Sequence, residues 1–233
     1  MGQPLQLTRP GLTTPRAAAV AGIVFSVLLI ISLTLIWSSV PTDPQETGSW
    51  LPRSADRVNL ALHLMPFAGI AFLWFIGVLR DRIGPYEDRF FATVFLGSGL
   101  LFLAMLFASS AVAGGTLMVY QAAPGKLMES GVYFFGRTVT YQIMNVYALR
   151  MAAVFMISTC TLSIRTNVIP RWMALLGYAL ALLLLLNTGY RHWIPLVFPL
   201  WVLLISLHIL IGNFKRDPAP VVERADPTAG PTN

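Results

Sequence analysis

The chain has 233 residues, 56% of them apolar and 11% charged, with a mean hydropathy of +0.68 and a formal net charge of +6. Soluble domains carry about 25% charged residues, so a water-exposed globular domain is excluded and the composition is that of a membrane protein. The basic residues are scattered between apolar runs and form no stripe, which excludes nucleic acid as a partner and fits the charge bias of membrane loops.

Six apolar runs approach or reach the roughly 20 residues a helix needs to cross a bilayer. A short segment, 1–16, carries Arg9 and Arg16 and precedes the first run, 17–37. This run is longer than the 7–15 residues typical of a signal-peptide core, and Trp37-Ser38-Ser39-Val40-Pro41 is a poor cleavage site, so a retained helix is expected. The stretch 44–52 holds Pro44 and Pro52 and reads as an irregular loop. The second run is 58–79 and the third 90–113. Between 114 and 140 the chain stays fairly apolar but is broken by Gly114, Gly115, Pro124 and Gly125. There, either the flanking helices extend beyond the bilayer or a short interfacial helix lies on its surface. Tyr120, Tyr133, Phe134 and Phe135 suit headgroup depth. The fourth run, 141–164, contains Arg150, and the fifth and sixth are 169–186 and 193–211. The tail 213–233 is rich in proline and reads as disordered. The expected fold is therefore all-α: a polytopic bundle of six transmembrane helices over 17–212.

Six crossings put the amino terminus, the 80–89 loop, the 165–171 loop and the carboxyl terminus on one side. That side holds Arg9, Arg16, Arg80, Arg82, Arg89, Arg165, Arg171, Lys215, Arg216 and Arg224, against Arg53, Arg57, Lys126, Arg137 and Arg191 on the other. Ten against five predicts both termini in the cytoplasm of a bacterial plasma membrane.

The turn Gly77-Val78-Leu79-Arg80-Asp81-Arg82-Ile83-Gly84 resembles the G-x-L-x-D-R-x-G signature of the major facilitator superfamily, which lies between helices two and three. The resemblance implies secondary transport with a gating role for Asp81. It covers eight residues. Pro85 and Tyr86 stand where the family continues with basic residues, and six spans stand against about twelve. Helix polarity accounts for the same charges: Arg80 and Arg82 close helix two, and Glu87 and Asp88 open helix three. More widely, 63–105 (HLMPFAGIAFLWFIGVLRDRIGPYEDRFFATVFLGSGLLFLAM) resembles uncharacterised multi-pass membrane proteins of high-GC Gram-positive bacteria, which implies an actinobacterial origin.

Ionisable groups within spans raise functional hypotheses. Arg150 lies roughly 21 Å above the inner boundary at 1.5 Å per residue, in the outer leaflet, where it either snorkels or faces the bundle interior. His63, Asn145, Tyr147 and Glu129 fall at similar depth, and with Arg150 they form the candidate ligand site, facing outward. Asp56, Tyr141, Gln142, Asn187, Tyr190, Arg191 and His192 enlarge the polar outer half. His63 and His208 lie near opposite surfaces and cannot share one haem iron. Gly97, Ala104, Ala108, Ala111 and Gly115 make a small-residue face on helix three, suited to close packing within the bundle or against another subunit.

Cys160 is the only cysteine, which excludes intrachain disulfides and cysteine-pair metal sites. No GxSxG, HExxH, Walker A or dinucleotide fingerprint occurs. Acids are nearly absent from the spans, so carboxylate-rich metal sites are not expected. No cofactor or metal is called for, and the reading leans away from an enzyme. Three functions are expected in order: a non-catalytic accessory or subunit-type membrane protein contacting lipids and a protein partner or second copy through helix three; binding or transport of an anionic or amphipathic molecule in an outward-facing polar pocket; and an enzyme acting on lipid or quinone in the outer leaflet.

Overall fold

The computed structural model describes residues 14–41, 48–83, 89–129, 131–166, 169–187, 189, 191 and 193–214. Among them there is helix and no strand. The elements are α1 (Thr14–Ser39), α2 (Leu51–Ile83), α3 (Arg89–Ala122), the short α4 (Pro124–Glu129), α5 (Val132–Gln142), a π-helical segment (Ile143–Ala148), α6 (Leu149–Thr166), α7 (Arg171–Leu186) and α8 (Ile194–Phe214). The expected all-α bundle is what forms. The segment 1–13, the turn 84–88 and the tail from 215 onward lie outside the described residues, as do the side chains of 81–92.

Among the described residues, five helical stretches are long and apolar enough to cross a membrane: Ala17–Ser39, Leu51–Arg80, Thr93–Ala122, Val132–Arg165 and Ile194–Gly212. The fourth joins α5, the π segment and α6 into one continuous rod. The sixth apolar helix, α7, has 16 residues, about 24 Å of rise against a hydrocarbon thickness of about 30 Å. The outer surface matches this reading. Val20, Leu60, Phe67, Trp74, Leu101, Phe135, Leu175 and Leu186 all point outward and exposed, a belt that water would not tolerate on a soluble monomer.

Packing fixes the relative direction of the helices. A Cβ built on Gly22, early in α1, would strike Ser206 late in α8 and come within 2.9 Å of Phe75 late in α2. So α1 runs antiparallel to both α2 and α8, and Thr14 and Phe214 sit at the same end of the bundle. At the far end, the guanidinium of Arg137 in α5 donates to the Pro41 carbonyl just past α1.

The middle is held by aromatic rings. Phe72 on α2 stacks or abuts Phe25 of α1 (4.6 Å between ring centroids), Phe102 of α3 (5.3 Å), Phe155 of α6 (5.3 Å) and Phe198 of α8 (5.7 Å). One residue thereby ties four other helices together, each ring pair adding about 0.5–1.5 kcal/mol beyond burial. Lipid tails are as apolar as phenylalanine, so close packing rather than water exclusion supplies this stabilisation. Several hydroxyls inside the bundle bond to their own helix: Ser26 to Gly22 O, Ser98 to Val94 O, Ser158 to Val154 O and Thr159 to Phe155 O. That is how polar side chains are tolerated where no water can solvate them.

The helices run further than their apolar runs. α2 starts at Leu51, seven residues before the expected 58, and Pro52 is in its first turn rather than in an irregular loop, a position where its missing N–H is harmless. α3 continues to Ala122 instead of ending at 113, and α4 follows as a short helix. Gly131, with φ 70, adopts the left-handed backbone that lets the chain break before α5 restarts. A second small core of Leu51, Val58, Leu117, Leu127 and Tyr133 consolidates this end.

Candidate functional site

At the end of the bundle where α1 passes to α2, α3 to α5 and α7 to α8, the helices splay around a cavity. Its volume is about 160 Å³. The wall is mostly apolar. Leu33 and Trp37 come from α1 and Val40 from just past it, Val58, Leu62 and Met65 from α2, Leu106 and Ala113 from α3, and Met144 from the π segment. Leu33, Met65 and Leu106 belong to the main buried core, so they form the floor. The polar side chains of the wall are Tyr133, Arg137, Tyr141 and Asn145 from the α5 rod and Arg191 before α8, with Val40, Leu51 and Leu117 beside Tyr133 and Arg137.

Four-residue spacing puts Tyr133, Arg137, Tyr141 and Asn145 on one face of the rod. The opposite face, with Phe134, Phe135 and Thr138, is exposed. Arg137 is held from three directions. Its Nη2 donates to Pro41 O at 2.7 Å, its Nη1 donates to the Tyr133 hydroxyl at 3.3 Å, and its guanidinium carbon lies 5.8 Å from the centre of the Tyr141 ring. The Tyr133 oxygen also accepts from Trp50 Nε1 at 3.0 Å. One hydrogen-bonded cluster thus joins the end of α1, the approach to α2 and α5. None of these partners carries a charge.

The hydroxyls of the wall are bonded to backbone. Ser109 Oγ donates across to Thr140 O at 3.1 Å, Ser110 to Leu106 O, Thr116 to Val112 O and Thr140 to Gly136 O. A Cβ on Gly136 would strike Thr116 Oγ1, so glycine at this position lets α3 and α5 cross closely beside the cavity.

Below Tyr141 the rod passes through the π segment. Wide π turns weaken the regular carbonyl pairing and occur often at functional sites. Two side chains supply extra donors here: Asn145 Nδ2 to Tyr141 O at 3.1 Å and Arg150 Nη1 to Val146 O at 2.9 Å. Arg150, half-buried in mid-rod, is thus turned back onto its own helix.

Of the four expected site residues whose side chains are described, only Asn145 stands on the cavity wall. Arg150 does not line it. Tyr147 is exposed on the outside of the rod. His63 is exposed on α2, with its Nδ1 donating to Asn59 O at 2.8 Å. The side chain of Glu129 lies outside the described residues, as do Tyr190 and His192. The residues that sequence reasoning passed over are Arg137, counted only as a loop charge, and Tyr133, assigned only to headgroup depth. Their signal was the Tyr-x3-Arg-x3-Tyr spacing, legible once the helix is known to run unbroken from Val132. Among the described residues no three or more His, Cys, Asp and Glu gather into a set that would hold a metal. The small-residue face of α3 turns away from the bundle: Ala104, Ala111 and Gly115 are exposed, and a Cβ on Gly97 or Gly115 would meet nothing within 4 Å.

No family model, no curated protein and no solved structure matches the chain.

Proposed function

We propose that this membrane protein binds an amphipathic molecule in a cavity that opens to the outside of a bacterial plasma membrane, with both chain ends in the cytoplasm. One observation carries the reading: an apolar cavity with an arginine anchored in its upper wall. The excess of Lys and Arg at the opposite end supports the orientation. An apolar floor takes a hydrocarbon chain, and the polar rim takes a head that stays near water.

The test is to fill the space. Ala113 lines the cavity and is half-buried. Ala113→Trp should abolish binding of a spin-labelled long-chain alcohol to the protein in nanodiscs while leaving its elution profile and thermal stability near wild type. Undiminished binding in that variant would remove the proposal.

A subunit role is favoured by a separate observation, the outward, unpartnered small-residue face of α3. Such a face permits close approach of another helix. Native mass measurement of the detergent-solubilised protein giving only a 25.6 kDa chain would count against it. The geometry adds nothing to an outer-leaflet enzyme, since His63 and Arg150 stand apart from the cavity.

A further inference from the structure

Resting on the cavity-binding reading, we infer that the occupant is an anion: a single-chain amphiphile with one carboxylate or phosphate, its head on Arg137 and its tail on the Leu33, Met65 and Leu106 floor. The described residues of the wall include two arginines, Arg137 and Arg191, and no Asp or Glu. Arg137 is half-buried, and its contacts are a carbonyl, a phenol and an aromatic face. These orient the cation, and among the described residues no carboxylate meets it. A guanidinium has five N–H donors and two are used here, so a fork remains to receive the paired oxygens of an acid. A half-buried charge without a counter-ion is unfavourable, and an incoming anion relieves that. Because Pro41, Tyr133 and Tyr141 already fix the side chain, little rotamer freedom is lost on binding.

The dimensions agree. From Arg137 down to Met144 is seven residues of helix, about 10 Å, and Met144 lines the cavity with the Leu33, Met65 and Leu106 floor. An anchored arginine above an apolar floor fits a head and a chain in series. A small free anion such as inorganic phosphate would leave the floor empty.

The experiment compares four probes on the full-length protein in zwitterionic nanodiscs, each displacing a spin-labelled alcohol: hexadecanoate, hexadecyl phosphate, hexadecanol and inorganic phosphate. The wild type should bind the two amphiphilic anions at least about tenfold tighter than the alcohol, as a charge-assisted hydrogen bond allows, and inorganic phosphate should not compete. Arg137→Gln should bring both anions down to the affinity of the alcohol while the alcohol's own affinity holds. If Arg137→Gln fails to fold, Arg137→Lys serves in its place: it keeps the charge, loses the fork, and should cut the preference several-fold. Equal affinity for acid and alcohol in the wild type overturns the inference and leaves cavity binding standing. An undiminished preference in either variant overturns it as well. If wild type binds no amphiphile, both readings fall together.

Discussion

Gly177 on α7 shows how tightly single residues are specified. A Cβ there would strike Cys160 Sγ of α6 and lie 2.7 Å from Trp201 Nε1 of α8. Both neighbours are buried, so neither has room to yield. We expect Gly177→Ala to lower stability by about 1–3 kcal/mol, the usual cost of overpacking. Gly97→Ala faces open space and should be neutral or stabilising by roughly 0.5–1 kcal/mol, since alanine is the better helix former. Thermal unfolding of the two variants in detergent checks the pair; equal behaviour would contradict the packing at the α6–α7–α8 crossing. The same scale shows where sequence reading stops. Arg150 drew notice because an arginine in hydrocarbon is conspicuous, yet it bonds to Val146 O of its own helix. Arg137 looked like one more loop charge. Which arginine faces a cavity depends on helical phase and on what the neighbouring helices leave unfilled, and neither is written in local composition. Asn145 was found because it combines a polar side chain with the right depth.

The α5–π–α6 rod is the element that differs most from expectation. Apolarity alone delimits 141–164, but the helix is continuous from Val132. The extra turns are stabilised by contacts distant in sequence: the Trp50–Tyr133 hydrogen bond, the Arg137–Pro41 bond and the small core around Leu117 and Leu127. A hydropathy reading registers apolar surface, so it underestimates helices that continue past their apolar run, as at Leu51 and Ala122. The six apolar runs themselves were legible, because a bilayer demands length and apolarity in each crossing. The π segment makes a further prediction. Its turn accommodates one residue more than an α turn. Deleting Val146 should convert it to regular α-helix with the two halves keeping their faces, so the protein should still elute as one monodisperse species. Deleting Val154 in regular α6 rotates everything beyond it by about 100° and should cause aggregation. Size-exclusion profiles decide, and equal damage from both deletions would contradict the role of the π turn as a register buffer.

Taken as a whole, the molecule has a dense half and an open half. Phe72 and its ring neighbours close the centre, and the helix ends beyond it part around the cavity. Thr14 and Phe214 share the dense end, as an even number of crossings requires. Reporter fusions after residue 85 and at the carboxyl end should therefore report the cytoplasm, and an insertion at residue 44 the outside; a split result for the first two would contradict the orientation. The central claim is that the open half holds an amphiphile, and photolabelling tests it most directly. A hexadecanoate bearing a diazirine near the end of its chain should, after irradiation with the protein in nanodiscs, mark residues 33–40 of α1, 106–117 of α3 and Met144, and Ala113→Trp should erase those marks. Labels confined to outward positions such as Val20, Trp74 and Leu175, unchanged by Ala113→Trp, would show that the cavity holds no acyl chain and would contradict the account.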